Sequence, residues 1–479
     1  MKAVMFRELY RYSDATVAEK LNVDLEEEKV IIDRLQYLNI VKRVKSSRPD
    51  DEVNLDELLS VTDENNKMLV FNYVGVLVLN DIVLWCFPKY IKEKDVTPSK
   101  FKMIVQAIRV YENRWQKLPI AQNSKESESI SIISIAIAII RNYQQYGLYM
   151  KQQSVLEING EGDINWERTI NGTQAILINE RPFYPEMITE SAVWDERNYF
   201  YCLHRCIVSE CFTLLKKTGL TELLEIQGDF YCDQCMQDFG SSDAILQRLV
   251  RELSIQFITS KKLILQLMQL YVSRRGKRSV KRQILLYGTN SLNVVWEEAC
   301  RTVLGDCLRK KIDDIEALPE HKRKHYPERN KTLLDILEKP EWIAYGRISG
   351  IYKDTLIPDV INIVQSSDGT INFYIYDAKY YNIVVAPERV SGQPGIESIT
   401  KQYLYDMAYK PFRQYFEINA VSNVFVFPVD GDSRRLGCVR FPMLRNITGM
   451  DIEAIALNAD VVWKLYVDGG KMDLGCEIT

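Results

Sequence analysis

The chain has 479 residues, and its 65 acidic and 61 Lys or Arg side chains give a formal net charge of −4. The length exceeds that of a usual single domain, and the weak negative charge excludes nucleic-acid binding through overall basicity, so any DNA contact must come from local patches. Ten cysteines in a chain of this length, without a secretory leader, are typical of reduced thiols and exclude a disulfide framework.

The amino terminus predicts a winged-helix-like module over residues 1–60. Three helical patches, at 5–12, 17–21 and 25–38, are separated by capping residues. A short strand follows at 40–44. A helix, a turn, a helix and a strand form a frequent DNA-binding module. The third patch opens with Glu26-Glu27-Glu28, which would meet DNA phosphates unfavourably, so contact with a partner protein is an equal alternative.

Residues 61–280 are expected to combine a β-hairpin with a mostly helical region that serves DNA recognition or partner contact. Apolar strands at 69–79 and 82–88 are joined at Asn80-Asp81, and the apolar run 130–140 predicts a buried helix that is too short to span a bilayer. Cys202, His204, Cys206 and Cys211 precede the Cys232-x-x-Cys235 pair, but on a helix Cys202 and Cys206 share a face that His204 does not, and a single CxxC pair is weak evidence for metal. We therefore expect buried free thiols there and no zinc site.

A basic run closes the middle region. It is a candidate for contacts to the DNA backbone, and a solvated surface is the alternative. Its members are Arg274, Arg275, Lys277, Arg278, Lys281 and Arg282. The same stretch is not a P-loop, because residue 271 is not glycine and residue 278 is arginine. We therefore expect any use of GTP or ATP to reside in another polypeptide.

The stretch 356–380, LIPDVINIVQSSDGTINFYIYDAKY, predicts a β-hairpin that carries two acids. If the loop is 367–369, the register places Asp359 opposite Asp377, and Lys379 lies two residues farther along the same face. Like charges that face each other across strands are destabilising, so the pair requires a cation or a proton.

Two carboxylates and one ammonium on a patch of sheet suit phosphodiester hydrolysis. Mg²⁺ takes oxygen ligands, commonly one or two carboxylates completed by water and phosphate. A lysine can position or deprotonate the attacking water, or stabilise the charge of the transition state. Each short motif alone is more often a turn or a surface salt bridge, but their combination at opposing register favours a nuclease.

Pro358-Asp359 followed by Asp377-Ala378-Lys379 resembles the PD-(D/E)xK nuclease core. The resemblance implies that Asp359, Asp377 and the Ala378 carbonyl bind metal and that Lys379 is the catalytic lysine. It also implies an acidic ligand on the preceding helix. Glu297 is the best match for that ligand and Glu298 the alternative, although either can be an ordinary exposed glutamate.

The helix expected at 398–410 and stopped by Pro411 carries Gln402, Tyr405 and Tyr409 on one face. In some nucleases of this superfamily, a Gln followed by Tyr on this helix lies at the site and contacts nucleic acid, so Gln402 is a candidate catalytic residue by resemblance. The equal alternative is that the tyrosines are simply core residues.

Longer motifs extend the resemblance over most of the chain. These motifs are CFPKY at 86–90, INGEGDINWERT at 158–169 and KQYLY at 401–405. They are similar to motifs of the LlaJI-type restriction endonuclease family, which looks related to McrC-like subunits. The resemblance implies a bacterial restriction endonuclease or subunit that hydrolyses double-stranded DNA with Mg²⁺. It further implies a separate McrB-like GTPase or ATPase as a partner, with homo-oligomerisation left open. The alternative is a non-catalytic DNA-binding or assembly protein, against which the intact Asp359, Asp377 and Lys379 argue.

We therefore expect a mixed α/β chain that ends in a PD-(D/E)xK nuclease domain over residues 281–479, with a mixed sheet flanked by helices. Residues 421–429 and 436–441 predict further strands of that sheet. The protein is expected to be cytoplasmic and without a membrane segment.

Overall fold

The computed structural model describes residues 3–45, 67–79, 82–115, 131–276, 284–345, 347–351, 355–472 and 474. The strands of this part are β1 (Val4–Arg7), β2 (Arg11–Tyr12), β3 (Val41–Lys45), β4 (Lys67–Phe71), β5 (Val74–Leu79), β6 (Ile82–Phe87), β7 (Gln152–Ile158), β8 (Asp163–Ile164), β9 (Ile176–Ile178), β10 (Arg181–Phe183), β11 (Ile188–Trp194), β12 (Ile284–Thr289), β13 (Glu341–Ala344), β14 (Arg347–Ile351), β15 (Val360–Gln365), β16 (Ile371–Ala378), β17 (Val384–Ala386), β18 (Arg389–Ser391), β19 (Ala420–Val429), β20 (Arg434–Val439) and β21 (Ile452–Asn458). The helices are α1 (Asp14–Leu21), α2 (Leu25–Tyr37), α3 (Pro98–Trp115), α4 (Ile132–Tyr146), α5 (Trp166–Gly172), α6 (Tyr199–Thr218), α7 (Leu220–Leu223), α8 (Ser242–Ile255), α9 (Thr259–Gly276), α10 (Leu292–Val303), α11 (Glu320–His325), α12 (Ile396–Ala408), α13 (Lys410–Phe416), α14 (Pro442–Thr448) and α15 (Ala459–Asp468). None of the described helices combines the length and the apolar character needed to cross a membrane.

The chain forms two compact units. The first unit is built from Met1–Leu77, Asp81–Leu118 and Gly288–Thr479, and the second from Val78–Asn80 and Pro119–Tyr287. The first unit is therefore discontinuous in sequence and takes residues from both ends of the chain. The division into three domains with bounds at 60 and 280 stays a prediction.

The prediction for the amino terminus is correct for two helices and wrong for its first segment. α1 begins after Ser13, whose hydroxyl accepts the Thr16 N–H, and α2 begins after Asp24, whose carboxylate accepts the Glu27 N–H. β2, β4 and β3 form an antiparallel sheet in that order beside them. Residues 5–12 are not helical, because β1 pairs in parallel with β6 and β2 pairs with β4. These long-range pairings bury apolar side chains of the segment and override its local helical pattern.

The strand expected over 69–79 is two strands in different sheets. β4 pairs with β3, whereas β5 is the neighbour of β6 in the sheet β1-β6-β5-β12. The hairpin of β5 and β6 is confirmed, and its turn at Asn80-Asp81 lies outside the described residues.

The second unit is less helical than expected. α4 is the buried helix that the apolar run 130–140 predicts. Residues 152–194, however, contain the sheet β7-β11-β8 and the hairpin of β9 and β10. Nearly all side chains of β7 and all those of β9 and β10 are exposed. A strand is recognised from sequence when its buried apolar side chains alternate with exposed polar ones. Because these strands bury little on either face, they do not show that pattern. Cys232 is buried as expected, but Cys235 is exposed.

The carboxyl-terminal part of the first unit contains the predicted mixed sheet, with strand order β15-β16-β19-β21-β20. β16, β19 and β21 are parallel, and the two outer strands are antiparallel to their neighbours. Residues of α12 and α13 cover the apolar side chains of β15 and β16, which are Ile361, Ile363, Phe373 and Ile375. The helix expected at 398–410 is α12, which ends at Ala408, before Pro411. A separate helix, α13, then begins with this proline in its first turn, where no N–H is required.

Candidate active site

Asp359, Asp377 and Lys379 lie together at one end of the five-stranded sheet. Val360 is paired with Tyr376, and the same register brings Asp359 opposite Asp377, as predicted. The Ala378 N–H donates to Asp359 Oδ2 at 2.9 Å, and Lys379 Nζ lies 2.8 Å from Asp377 Oδ1. Because side chains alternate along a strand, both acids continue the apolar rows formed by the residues of β15 and β16 that face the helices.

The Asp377 carboxyl group strongly influences the ionisation of Asp359. Burial raises the pKa of Asp359 well above its ordinary value, and the hydrogen-bonded Asp377 carboxyl raises it further. Burial alone would lower the pKa of Lys379, but the Asp377 carboxylate outweighs this effect and raises it. Lys379 is therefore an ammonium at neutral pH, which favours its role in binding negative charge over a role as a base.

The raised pKa of Asp359 makes the metal-free fold sensitive to pH. The folded state binds this proton more tightly than the unfolded state, so stability is lost as pH rises from about 4 through the folded pKa. We expect Asp359→Asn to melt at a higher temperature than wild type at pH 8 in chelator, with a smaller difference near pH 4. Asp368→Asn, in the exposed turn of the same hairpin, is the control and should give no gain, because hydrogen bonding to Thr370 lowers the pKa of Asp368. A lower melting temperature of Asp359→Asn at pH 8 would contradict this expectation.

α10 brings Glu297 to the site, whereas Glu298 has another partner. Burial raises the pKa of Glu297, while Lys379 lowers it and Asp377 raises it, so Glu297 shares the electrostatic environment of the pair. Glu298 forms an ion pair with Arg301 at 2.7 Å. The electrostatic effect of Lys379 and Asp377 on Glu297, together with the ion pair of Glu298, favours Glu297 as the acid contributed by this helix.

Arg301 and Asp306 support the site and were not identified from the sequence. Arg301 Nε donates to the Asp359 carbonyl oxygen at 3.2 Å, and Asp306 Oδ1 accepts the Ile361 N–H at 3.0 Å. Together they fix the start of β15 on both sides of Val360. The sequence contains one indication of the role of Arg301: it follows Glu297 by four residues, so both lie on one face of α10.

Gln402 is buried beside the site strands. Its side-chain amide donates to the Val424 backbone carbonyl at 3.2 Å, and its backbone carbonyl accepts from the Asn423 side-chain amide at 2.9 Å. These bonds tie α12 to β19, so contact with nucleic acid stays a prediction. Tyr405 and Tyr409 are buried core residues, and the Tyr405 hydroxyl donates to the Ile357 carbonyl at 3.0 Å.

Only part of the basic run can be located. Arg274 and Arg275 lie in the last turn of α9, and Arg275 forms an ion pair with Glu210 at 3.0 Å. The other four members, Lys277, Arg278, Lys281 and Arg282, lie outside the described residues. Contact of this run with DNA stays a prediction.

The chain is similar to proteins of known restriction systems. The family model for the LlaJI restriction endonuclease matches residues 73–320 and 320–460. The type II restriction enzyme BsuMI component YdjA of Bacillus subtilis (strain 168) is 27% identical over 423 residues, which are 85% of this chain and 82% of that protein. Among solved structures, a chain in the refined half-complex of Thermococcus gammatolerans McrB AAA+ hexamers with bound McrC is similar to this one. The match covers 98% of this chain and 99% of that chain, with 12% sequence identity and a TM-score of 0.38. The McrBC complex of the same organism matches 62% of this chain and 85% of its own, with 13% identity and a TM-score of 0.23.

Proposed function

The chain belongs to the LlaJI restriction endonuclease family, and we propose that it hydrolyses DNA phosphodiester bonds at Asp359, Asp377 and Lys379. The observation that carries the proposal is the opposing register of the two acids, with the lysine ammonium 2.8 Å from one of them. Two adjacent carboxyl groups, one of which raises the cost of ionising the other, are not needed to hold the end of a sheet together. Binding of a cation and a phosphate would relieve that cost.

Mg²⁺ is the cofactor that this donor set fits. Among the described residues, no three His, Cys, Asp or Glu side chains are grouped so as to hold a metal ion. Mg²⁺ commonly binds one or two carboxylates and completes its shell with water and phosphate, so Asp359, Asp377 and the Ala378 carbonyl would hold the ion. When bound, Mg²⁺ lowers the pKa of water and neutralises charge on the phosphate oxygens.

The protein side chains have separate roles in this proposal. The Lys379 ammonium stabilises the negative charge that develops on the phosphate and orients the attacking water through its N–H groups. Asp377 holds that ammonium in place through their ion pair. Arg301 and Asp306 hold Asp359 in register, and Glu297 adds a third carboxyl group whose raised pKa suits it to accept a proton.

We propose double-stranded DNA as the substrate and a separate GTPase or ATPase subunit of the McrB type as a partner, with homo-oligomerisation as a further possibility. The similarity to a protein named as a component of the BsuMI restriction enzyme supports a role within a set of polypeptides. The P-loop pattern is absent from 271–279, so nucleotide hydrolysis would belong to the partner.

Cleavage of defined plasmids tests the function. Purified protein is incubated with Mg²⁺ or chelator, with and without GTP or ATP, and the ends are mapped by sequencing. We expect cleavage that requires Mg²⁺. A folded protein that binds DNA but cleaves none of the plasmids, alone or with its partner, would instead be a non-catalytic assembly protein.

A pair of neighbouring variants tests the role of Glu297. Glu297→Gln should slow cleavage by about 100-fold, the lower end for the loss of a general acid or base. Glu298→Gln is the neighbouring comparison. It loses the ion pair with Arg301, but the hydrogen bond from Arg301 to the Asp359 carbonyl remains, so cleavage should fall much less. Single-turnover rates of plasmid cleavage measure both. Equal loss in the two variants would remove the distinction between these glutamates.

A further inference from the structure

Glu8 is a buried carboxyl group in the amino-terminal segment, directly after β1. Its side chain is 5% exposed, and its backbone N–H donates to the Phe87 carbonyl at 2.9 Å. Glu8 Oε2 accepts the Tyr380 hydroxyl at 2.5 Å and the Lys89 N–H at 3.2 Å. A carboxyl group removed from water is costly unless it is hydrogen-bonded, so these partners fix its position.

Tyr380 directly follows the proposed catalytic lysine. β16 ends at Ala378, so Lys379 and Tyr380 lie in the connection beyond the strand. Three groups hold the buried Tyr380 side chain: the Glu8 carboxyl, the Lys89 ammonium 4.8 Å from its ring centroid, and the Tyr90 ring at 6.2 Å. The backbone beside the lysine is thereby held by residues from the first 90 positions of the chain.

The same group of side chains extends to the helix that carries Glu297. The Tyr90 hydroxyl accepts the Trp463 indole N–H at 2.8 Å, and the Trp463 ring lies 5.4 Å from the ring of Trp296. Trp296 directly precedes Glu297 on α10. Buried aromatic contacts therefore connect the two edges of the site through residues of the first unit.

We propose that Glu8 is a positioning residue of the nuclease, whose hydrogen bond to Tyr380 keeps the Lys379 ammonium against Asp377. The inference rests on the function proposed above. Without this bond, the connection after β16 loses a fixed point next to the lysine. Catalytic groups must be held within a fraction of an ångström, so even a small displacement of the ammonium lowers the rate.

Tyr380→Phe tests the hydrogen bond with little change in packing. We expect the single-turnover cleavage rate to fall by about 10- to 100-fold while DNA affinity stays at the wild-type value. Glu8→Ala should have an effect of similar size, and Glu8→Gln, which keeps an acceptor oxygen, should recover part of the rate. If Glu8 acts through Tyr380, the double variant Glu8→Ala/Tyr380→Phe loses no more than the more impaired single variant.

Two controls separate positioning from general loss of stability. Tyr199→Phe removes a tyrosine hydroxyl that donates to the Phe239 carbonyl at 3.1 Å in the second unit. Glu252→Ala removes another buried glutamate, 4% exposed, from α8. Both should change the melting temperature and leave the cleavage rate unchanged.

Chemical labelling of Lys379 gives a measurement that does not depend on cleavage. The protein, without added metal, is treated with a limiting amine-reactive reagent, and modification of each lysine is quantified by peptide mass spectrometry. Lys379 should react slowly in wild type, because its ammonium is engaged by Asp377, and several times faster in Tyr380→Phe, while Lys401 on α12 keeps its rate. Unchanged labelling and unchanged cleavage in Tyr380→Phe would overturn the proposal. A wild type that does not cleave, alone or with its partner, combined with faster labelling in the variant, would overturn the nuclease function and leave the positioning intact.

Discussion

Asp377→Asn should reduce DNA cleavage by about a thousand-fold or more, because the variant loses both a metal-binding charge and the anion that holds Lys379. Asp359→Asn should have the same outcome through loss of the opposing ligand. Neither change removes apolar surface, so both proteins should fold and bind DNA. The measurements are plasmid cleavage, DNA affinity, and the rise in melting temperature on adding Mg²⁺, which both variants should lose.

Lys379→Ala should lose cleavage to a similar extent by a different route. The two carboxyl groups remain, so the Mg²⁺-dependent rise in melting temperature should persist or increase once a competing positive charge is gone. Asp368→Asn and Lys401→Ala are the matched controls, because one changes an exposed acid of the same hairpin and the other an exposed lysine of α12. Normal cleavage by Asp377→Asn or Lys379→Ala would refute the site. Loss of the Mg²⁺ effect in Lys379→Ala would refute the separate roles of acid and base.

Trp463→Ala should cost about 3–5 kcal/mol of the free energy of unfolding, the range for deleting a buried indole. The Trp463 side chain is 0% exposed, contacts the Trp296 ring and donates to the Tyr90 hydroxyl. Trp342→Ala is the matched control, because that indole is 70% exposed in the hairpin of β13 and β14 and should cost less than about 0.5 kcal/mol. Chemical denaturation combined with hydrogen exchange of peptides from the first unit measures both. Similar costs for the two tryptophans would show that the junction of α10 and α15 contributes little.

The register of the active-site hairpin could be predicted because it depends on local rules. A glycine-containing turn sets which residues face each other, and the two-residue period sets which face they occupy, so Asp359 and Asp377 were paired correctly. The choice between Glu297 and Glu298 could not be made in this way. Adjacent helical residues point in different directions, and which direction meets the strands depends on how α10 packs.

Features that depend on distant partners were missed or misread. The segment 5–12 has a helical pattern, but β6 and β4 supply strand partners about 60 to 80 residues away. Glu8 gave no signal at all, because its partner Tyr380 lies 372 residues farther along the chain. Arg301 and Asp306 act on the backbone of β15, and the sequence pattern of a helix does not show which backbone groups its side chains reach.

The discontinuous first unit has a consequence for the order of events during protein synthesis. The second unit is formed largely by the continuous stretch Pro119–Tyr287, so it can fold while the ribosome is still translating. The first unit cannot, because Tyr90 meets Trp463 only when the last helix has left the exit tunnel, 373 residues later. A nascent or prematurely terminated chain therefore carries the hairpin acids without the contacts that hold the site together. We expect such a chain to expose apolar surface, to be degraded by cellular proteases and to lack a complete site.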